Sequence, residues 1–257
     1  PESAVELSIY DKKGVMIDKF SSAETENPER RLSEKLGLNR FVWNLSYRAV
    51  QALDRTLVTR DYEPLARERK GRGPAAPPGQ YKVRLSVGEI RTTASFVLLK
   101  DPRVETTQAA FDEQFELLRE LNTRRSELRT QVDRIRQIKR QLDGLVEKLP
   151  KGVRKIIPSV TSIRNKLEII ENVLVDAQRE SPRDVLRRPA GLDDTLGDLM
   201  WCVTMSDTAP PIQTQKVSVE VVKKIDNEIQ KLNKLVDGPI AALNAKVEKA
   251  GVPAIIA

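Results

Sequence analysis

The stretch Tyr81-Lys82-Val83-Arg84-Leu85-Ser86-Val87-Gly88-Glu89-Ile90 alternates apolar and polar residues up to a turn. Beyond Asp101-Pro102-Arg103 the repeat changes: Phe111, Phe115, Leu118, Leu121, Leu128, Val132, Ile135, Leu142 and Leu149 recur at three, four and seven. A period of two sends side chains to alternate faces of a strand, and a period near 3.6 gathers them on one helical stripe. The switch predicts a multidomain α+β protein, with a β domain over residues 1–103 and a helical domain over 104–257.

Working back toward the N-terminus, Val5, Leu7 and Ile9 alternate with Glu6, Ser8 and Tyr10. Asp11-Lys12-Lys13-Gly14 then reads as a turn, and Val15 to Phe20 as the return strand of a hairpin. Phe41-Val42-Trp43-Asn44-Leu45-Ser46-Tyr47 alternates too and is predicted as a strand, and Gly88-Glu89 turns the Tyr81 strand into Ile90 to Leu99. Five or more short strands in this region predict an Ig-like antiparallel β-sandwich. The composition shifts to Arg, Glu, Ala, Gly and Pro over residues 48–80, ending in Gly73-Pro74-Ala75-Ala76-Pro77-Pro78-Gly79, where proline prevents continued strand pairing. A long exposed loop is expected there, either a plain surface connection or a docking arm. Its Arg55, Arg60, Arg67, Arg69, Lys70 and Arg72 are the candidate partner-binding residues.

Toward the C-terminus, the first helix should run for about 40 residues, roughly 60 Å, and needs partners along its length. Pro150 to Pro158 breaks it. A second helix carries Val160, Ile163, Leu167, Ile170, Leu174 and Ala177 and ends near Ser181-Pro182. The third runs from Leu192 to about Ser206, with Asp193 and Asp194 in its first turn. The fourth carries Val222, Ile225, Ile229, Leu232, Val236, Ile240, Leu243 and Val247, with a bend at Gly238-Pro239. Single apolar stripes are best buried against one another, which predicts an antiparallel helical bundle of about four helices that holds without metal or disulfide.

The 257-residue chain has no histidine and one cysteine, Cys202. Histidine-based triads, His or Cys zinc sites, haem ligation by histidine and intrachain disulfides are thereby excluded. Within Met200-Trp201-Cys202-Val203 the thiol is expected as a packed core residue. The sequence contains no Gly-rich phosphate loop, nucleophile elbow or EF-hand spacing. Asp193-Asp194 reads as a helix's first turn, and Glu168 with Glu171 as a solvated helical face, rather than as the paired carboxylates of a glycosidase. An enzyme, a cofactor and a small-molecule substrate are therefore not expected. Lys plus Arg is 44 against 37 acidic residues, for a net charge of +7. The basic run from Arg119 to Arg140 is read as a solvated helix face in preference to a phosphate-binding one. An acidic partner protein or an anionic lipid surface is a third reading. Aromatic residues make up only 4% of the chain, too few for base-stacking platforms, so no nucleic acid is expected. No apolar run approaches the roughly 18 residues of a membrane span. The start at Pro1, close before a strand-like pattern, is expected to reflect the missing front of a longer precursor.

Three motifs stand in order: Gly37-Leu38-Asn39-Arg40-Phe41-Val42-Trp43-Asn44, then Ala76-Pro77-Pro78-Gly79-Gln80-Tyr81-Lys82-Val83-Arg84-Leu85, then Asp101-Pro102-Arg103. In this the chain resembles the C-terminal region of bacterial sortilin-like proteins, exported BNR-repeat, glycosyl-hydrolase-like β-propeller proteins. In that family an Ig-like or FlgD-like sandwich and a helical tail follow the propeller. Asn44 stands where that family commonly has Asp, and the propeller is absent from this sequence. The resemblance implies an exported protein, periplasmic or extracellular, with any hydrolase activity residing in the missing repeats. Asn39, Arg40, Trp43, Gly79, Tyr81, Asp101 and Arg103 are then structural motif residues. On physical grounds Trp43 is expected as a core aromatic between two sheets, Gly79 as the tight entry to the Tyr81 strand, Tyr81 as a packed ring with a bonded hydroxyl, and Asp101 and Arg103 as an ion pair. Two functions are expected. One is a non-catalytic scaffold module binding other protein subunits of a larger, membrane-associated assembly; the other is the accessory C-terminal region of a propeller hydrolase or receptor.

Overall fold

The alternation from Val5 onward forms β1 (Val5–Tyr10), which pairs antiparallel with β2 (Met16–Ser21). The Asp11 carboxylate holds the turn between them by accepting from the Lys13 and Val15 amides at 2.8 and 2.9 Å. β3 (Gly79–Val87) lies on the other side of β1, and β4 (Ile90–Leu98) pairs with β3, so the sheet order is β2-β1-β3-β4. The computed structural model describes residues 3–24, 28–49, 73–149, 151–176, 189–249, 251 and 253–256. These form an α+β protein of two units. The first comprises the described residues up to Ala49, together with 73–119 and Ser206–Pro210; the second comprises those of 120–205 and 211–256.

The register sets the two faces of the sheet. Leu7 opposes Phe20 and Leu85, Ile9 opposes Val83, and Tyr81 opposes Phe96, so apolar residues gather on one face. The other face carries a Glu6–Lys19 ion pair at 2.7 Å, and the Arg84 guanidinium lies 4.8 Å above the Tyr10 ring. The core of this unit is Ile9, Ile17, Phe20, Leu32, Ala76 and Tyr81.

Phe41–Tyr47, predicted as a strand, is extended chain with a single bridge, from Ser46 to Ala75. Phe41 and Trp43 pack down onto the apolar core, so their alternation reflects a segment lying over a sheet face rather than one in its hydrogen-bonded ladder. Leu45, at φ 55°, interrupts the extended run. The end of the expected loop is also ordered: Tyr47 donates to Pro74, Gly73 to Tyr47 and Ala76 to Leu45, at 2.8–3.0 Å.

α1 (Gln108–Lys148) has the expected length. It supplies its first turns, up to Arg119, to the first unit and the remainder to the second. A 3-10 segment, Lys151–Ile156, leads into α2 (Ile157–Leu174), with Pro158 in its first turn, where a missing amide costs nothing. α3 (Leu192–Thr204) and α4 (Ile212–Leu235) follow. The expected bend at Gly238-Pro239 is a single π-helical turn, Val236–Ile240, leading into α5 (Ala241–Glu248). In the second unit Leu121, Leu128, Val132, Ile135, Leu142, Leu167, Leu174, Leu196, Ile225 and Leu232 are almost wholly buried. On α4 the buried positions are Val221 and Glu228, where Val222 and Ile229 were expected. The tail is tied down by two amide side chains, Asn244 bonding Ile255 and Gln141 bonding Ile256, each both donating and accepting.

Cys202, expected in the core, is exposed. α3 buries Leu192, Leu196, Leu199 and Val203, and Cys202 falls off that stripe. Among the described residues no helix is long and apolar enough to cross a membrane.

Candidate binding surface and buried ion pairs

The extended segment around Trp43 crosses the apolar sheet face without closing it. A cleft of about 400 Å³ remains between them, lined by Leu7, Ile9, Phe41, Trp43, Val83 and Phe96, with Arg40, Val42 and Leu45 at its edge. Two of its lining residues, Trp43 and Phe96, form an aromatic cluster with Tyr81. Trp43 meets Tyr81 and Phe96 edge-on at 5.8 and 6.2 Å, and Tyr81 stacks on Phe96 at 5.7 Å. The indole N–H of Trp43 donates to the Ser46 carbonyl at 3.2 Å, and the Tyr81 hydroxyl donates to Pro77 at 2.5 Å. Burial, with Asp11 and Asp112 nearby, pushes the Tyr81 hydroxyl up to about 12, so it stays a donor at any ordinary pH.

The motif residues occupy distinct places. Trp43 is half-buried over a single sheet rather than enclosed between two. Asn39 folds the turn before it, donating to the Lys35 and Gly37 carbonyls at 2.8 and 3.2 Å. Arg40 stands exposed beside the cleft. Gly79 starts β3 at φ 153°, a backbone conformation that L side chains resist. Asp101 and Arg103 form the expected pair, at 2.6 Å and in solvent. Hydrogen bonds from the Arg103 side chain and amide lower the Asp101 pKa. The six basic candidates, Arg55, Arg60, Arg67, Arg69, Lys70 and Arg72, lie outside the described residues.

The second unit holds a feature the sequence reading missed. Arg129 is buried, and Arg125, Arg136 and Lys139 are largely so, which corrects the reading of the Arg119–Arg140 run as a solvated face. Arg119, at 61% side-chain exposure, does fit that reading. Asp193 accepts from Arg129 at 2.8 and 2.9 Å and from Arg125 at 3.0 and 3.1 Å. Glu171, also expected in solvent, is 3% exposed and accepts from Arg136 at 2.7 Å and Lys139 at 3.0 Å. Burial alone would raise the Asp193 pKa; the Arg129 hydrogen bonds and the two guanidinium charges outweigh it and leave the carboxyl below its ordinary range. The two basic groups of each pair sit four or three residues apart, the pairs lie on one side of α1, and each carboxylate comes from another helix, α3 or α2. Spacing alone cannot distinguish such a row from a solvated one; its mixture with the apolar stripe was the available signal.

These carboxylates are engaged by cations and offer no free acid or base. Among the described residues no group of three or more His, Cys, Asp or Glu is placed to hold a metal ion. No protein-family model matches the chain, and neither a curated protein nor a solved structure matches it.

Proposed function

We propose that the chain is a non-catalytic protein-interaction and scaffold module that stabilises a larger extracytoplasmic assembly. Its first unit is read as an Ig-like sandwich in which the Phe41–Tyr47 segment supplies the second layer, and its second unit as an antiparallel helical bundle. The observation that carries this reading is the open cleft between Trp43 and the sheet, with Val42 72% and Leu45 43% exposed at its edge. Exposed aliphatic residues beside a cleft lined in part by aromatic rings suit an apolar protein side chain, and Arg40 beside them suits an acidic neighbour. The basic residues between Arg55 and Arg72 would add charge attraction to an acidic protein subunit or to an anionic membrane surface.

A second reading is favoured by the ordered motifs from Gly37 to Arg103: the accessory C-terminal region of an exported sortilin-like or BNR-repeat propeller protein, whose activity lies in the propeller. Native mass spectrometry of the assembly from its source separates the two. A stoichiometric foreign subunit, lost when Val42→Asp and Leu45→Asp are combined, supports the scaffold reading. Retention of that subunit by the double variant refutes the cleft as its seat, and a propeller on the same polypeptide favours the second reading.

A further inference from the structure

The two edges of the sheet differ. The β2 edge is covered by its own chain: the Leu32 amide donates to the Ser21 carbonyl at 3.1 Å, Arg31 Nε to Ser22 at 3.1 Å and Arg30 Nη2 to Lys19 at 2.6 Å. Among the described residues β4 has no neighbour beyond β3. It is nine residues long, contains neither proline nor glycine, and carries one charge, Arg91. Long, nearly uncharged free edges are what folded proteins ordinarily avoid, because each presents a row of unpaired amides and carbonyls to another strand.

The register specifies which groups are free. β3 and β4 are joined by the two-residue turn Gly88-Glu89, with Val87 opposite Ile90. In such a hairpin the closing residues form a hydrogen-bonded pair, and these pairs alternate along the ladder. Ile90, Thr92, Ala94, Phe96 and Leu98 therefore direct their backbone groups to β3. Arg91, Thr93, Ser95 and Val97 direct theirs to the open edge.

We propose that β4 pairs antiparallel with β4 of a second copy of this chain, about a two-fold axis at Ala94. The strand is self-complementary in that register. Thr93 opposes Ser95 of the other copy and Arg91 opposes Val97, so all four outward residues on each strand are used. On the apolar face Ala94 meets Ala94, Thr92 meets Phe96 and Ile90 meets Leu98, so small residues sit at the axis and large ones flank it. The single charge is displaced from the axis, and the two Arg91 side chains lie at opposite ends of the pair. Centring on Arg91 would instead place like charges face to face, which is destabilising. The pairing joins two four-stranded sheets into one of eight strands with a continuous apolar face, and closes a free edge by the isologous symmetry commonest among oligomers. This surface is the backbone edge of β4, not the Trp43 cleft, and the inference stands independently of the scaffold reading.

The register makes the test specific. Ala94 faces its counterpart as a non-hydrogen-bonded pair, with Cα atoms about 4.5 Å apart, within disulfide reach of roughly 4.4–6.8 Å. In the full chain with Cys202→Ser, Ala94→Cys should give a dimer resistant to denaturant and sensitive to reductant, whereas Thr92→Cys, which would face Phe96, should not. In the chain without added cysteines, sedimentation should show twice the monomer mass. The dimer fraction should rise with salt, because each copy carries a net charge of +7. Thr93→Pro removes an outward amide without touching the β3 ladder and should return the chain to monomer mass while its circular dichroism stays unchanged. A chain that sediments as a monomer at every salt concentration and does not crosslink through Ala94→Cys overturns the proposal. Crosslinking as strong through Thr92→Cys overturns the register. A chain monomeric by itself that takes up a strand of a foreign partner at β4 also overturns self-pairing, and leaves the proposed scaffold function standing.

Discussion

Arg129 Nε donates to Asp193 Oδ1 at 2.8 Å with both residues under 10% exposed, joining α1 to α3 across 64 positions of sequence. Arg125 reaches the same carboxylate one turn earlier on α1, so a single acid accepts hydrogen bonds from two guanidiniums inside the second unit. Glu171 repeats the arrangement with Arg136 and Lys139 from α2. Buried pairs of this kind seldom exceed an apolar replacement in net stability, because desolvation offsets the attraction. Their value lies in register: sliding α1 by one turn would leave each carboxylate with only one of its two cations.

Removing one partner is much more costly than the pair is worth. Asp193→Ala withdraws four hydrogen bonds from two buried guanidiniums and should destabilise the protein by about 3 kcal/mol, read from urea unfolding. Glu116→Ala, which breaks an exposed pair with Arg119, should change stability by less than about 0.5 kcal/mol. Comparable effects at the two sites would show that burial does not set the energetics.

The depressed Asp193 pKa fixes a pH dependence. A carboxyl whose folded pKa lies below its unfolded value adds stability above that value, ordinarily 3.8, and loses it as pH falls through the folded pKa. Acid unfolding below about pH 4 should therefore be shallower in Asp193→Ala than in the parent. An unchanged acid limb would mean that other carboxylates dominate it.

Trp43→Ala was expected from sequence to cost what a fully enclosed tryptophan costs, roughly 3–5 kcal/mol. With one side of the ring facing the cleft, the loss should fall to about 2 kcal/mol. Trp43→Phe should keep the edge-on contacts to Tyr81 and Phe96 while losing the bond to Ser46, and cost about 1 kcal/mol. A full-sized loss for Trp43→Ala would indicate a covered ring and a closed cleft.

The hairpins and helices were legible because their signals are local: alternation with Gly88 and Asp11 at the turns, and a 3.6-residue stripe that continues from Phe111 to Leu149. Phe41–Tyr47 misled because a segment lying on a sheet face alternates just as a strand within the sheet does, and only the partner ladder distinguishes them. Arg129 and Glu171 misled because an ion row looks the same buried or solvated until the facing helix is known. Cys202 was put in the core by its apolar neighbours, although Leu199 and Val203 already set a phase that excludes it.

The chain between Arg48 and Gly73 can be shortened, but only up to a limit the structure supplies. Gly73 donates to the Tyr47 carbonyl at 3.0 Å, so the two ends of the segment are close and residues 50–59 suffice to connect them. If residues 60–72 are the exposed loop that their composition predicts, deleting them should leave thermal unfolding unchanged while removing Arg60, Arg67, Arg69, Lys70 and Arg72, and should weaken salt-sensitive association with an acidic partner. Deleting residues 60–76, the wider excision the sequence alone would permit, also removes the pairing of residues 73–76 with 45–47 and the buried Ala76, and should unfold the first unit. Equal stability of the two deletions would show that the Ser46–Ala75 bridge contributes nothing.

Two helical glycines give opposite expectations. A methyl group added at Gly144 in α1 meets nothing within 4 Å, so Gly144→Ala should raise stability by about 0.5–1 kcal/mol through helix propensity and the entropy of the unfolded chain. At Gly197 in α3 the same methyl would lie 3.1 Å from Arg125 Nη2 and 3.2 Å from its Cζ. Gly197 thus makes room for the guanidinium that reaches Asp193, and Gly197→Ala must shift it. The propensity gain is then spent displacing a largely buried cation from its carboxylate, and the net change should fall at or below zero. Thermal unfolding of the two variants side by side checks this: Gly197→Ala as stabilising as Gly144→Ala would mean that Arg125 gives way freely and that Asp193 is held by Arg129 alone.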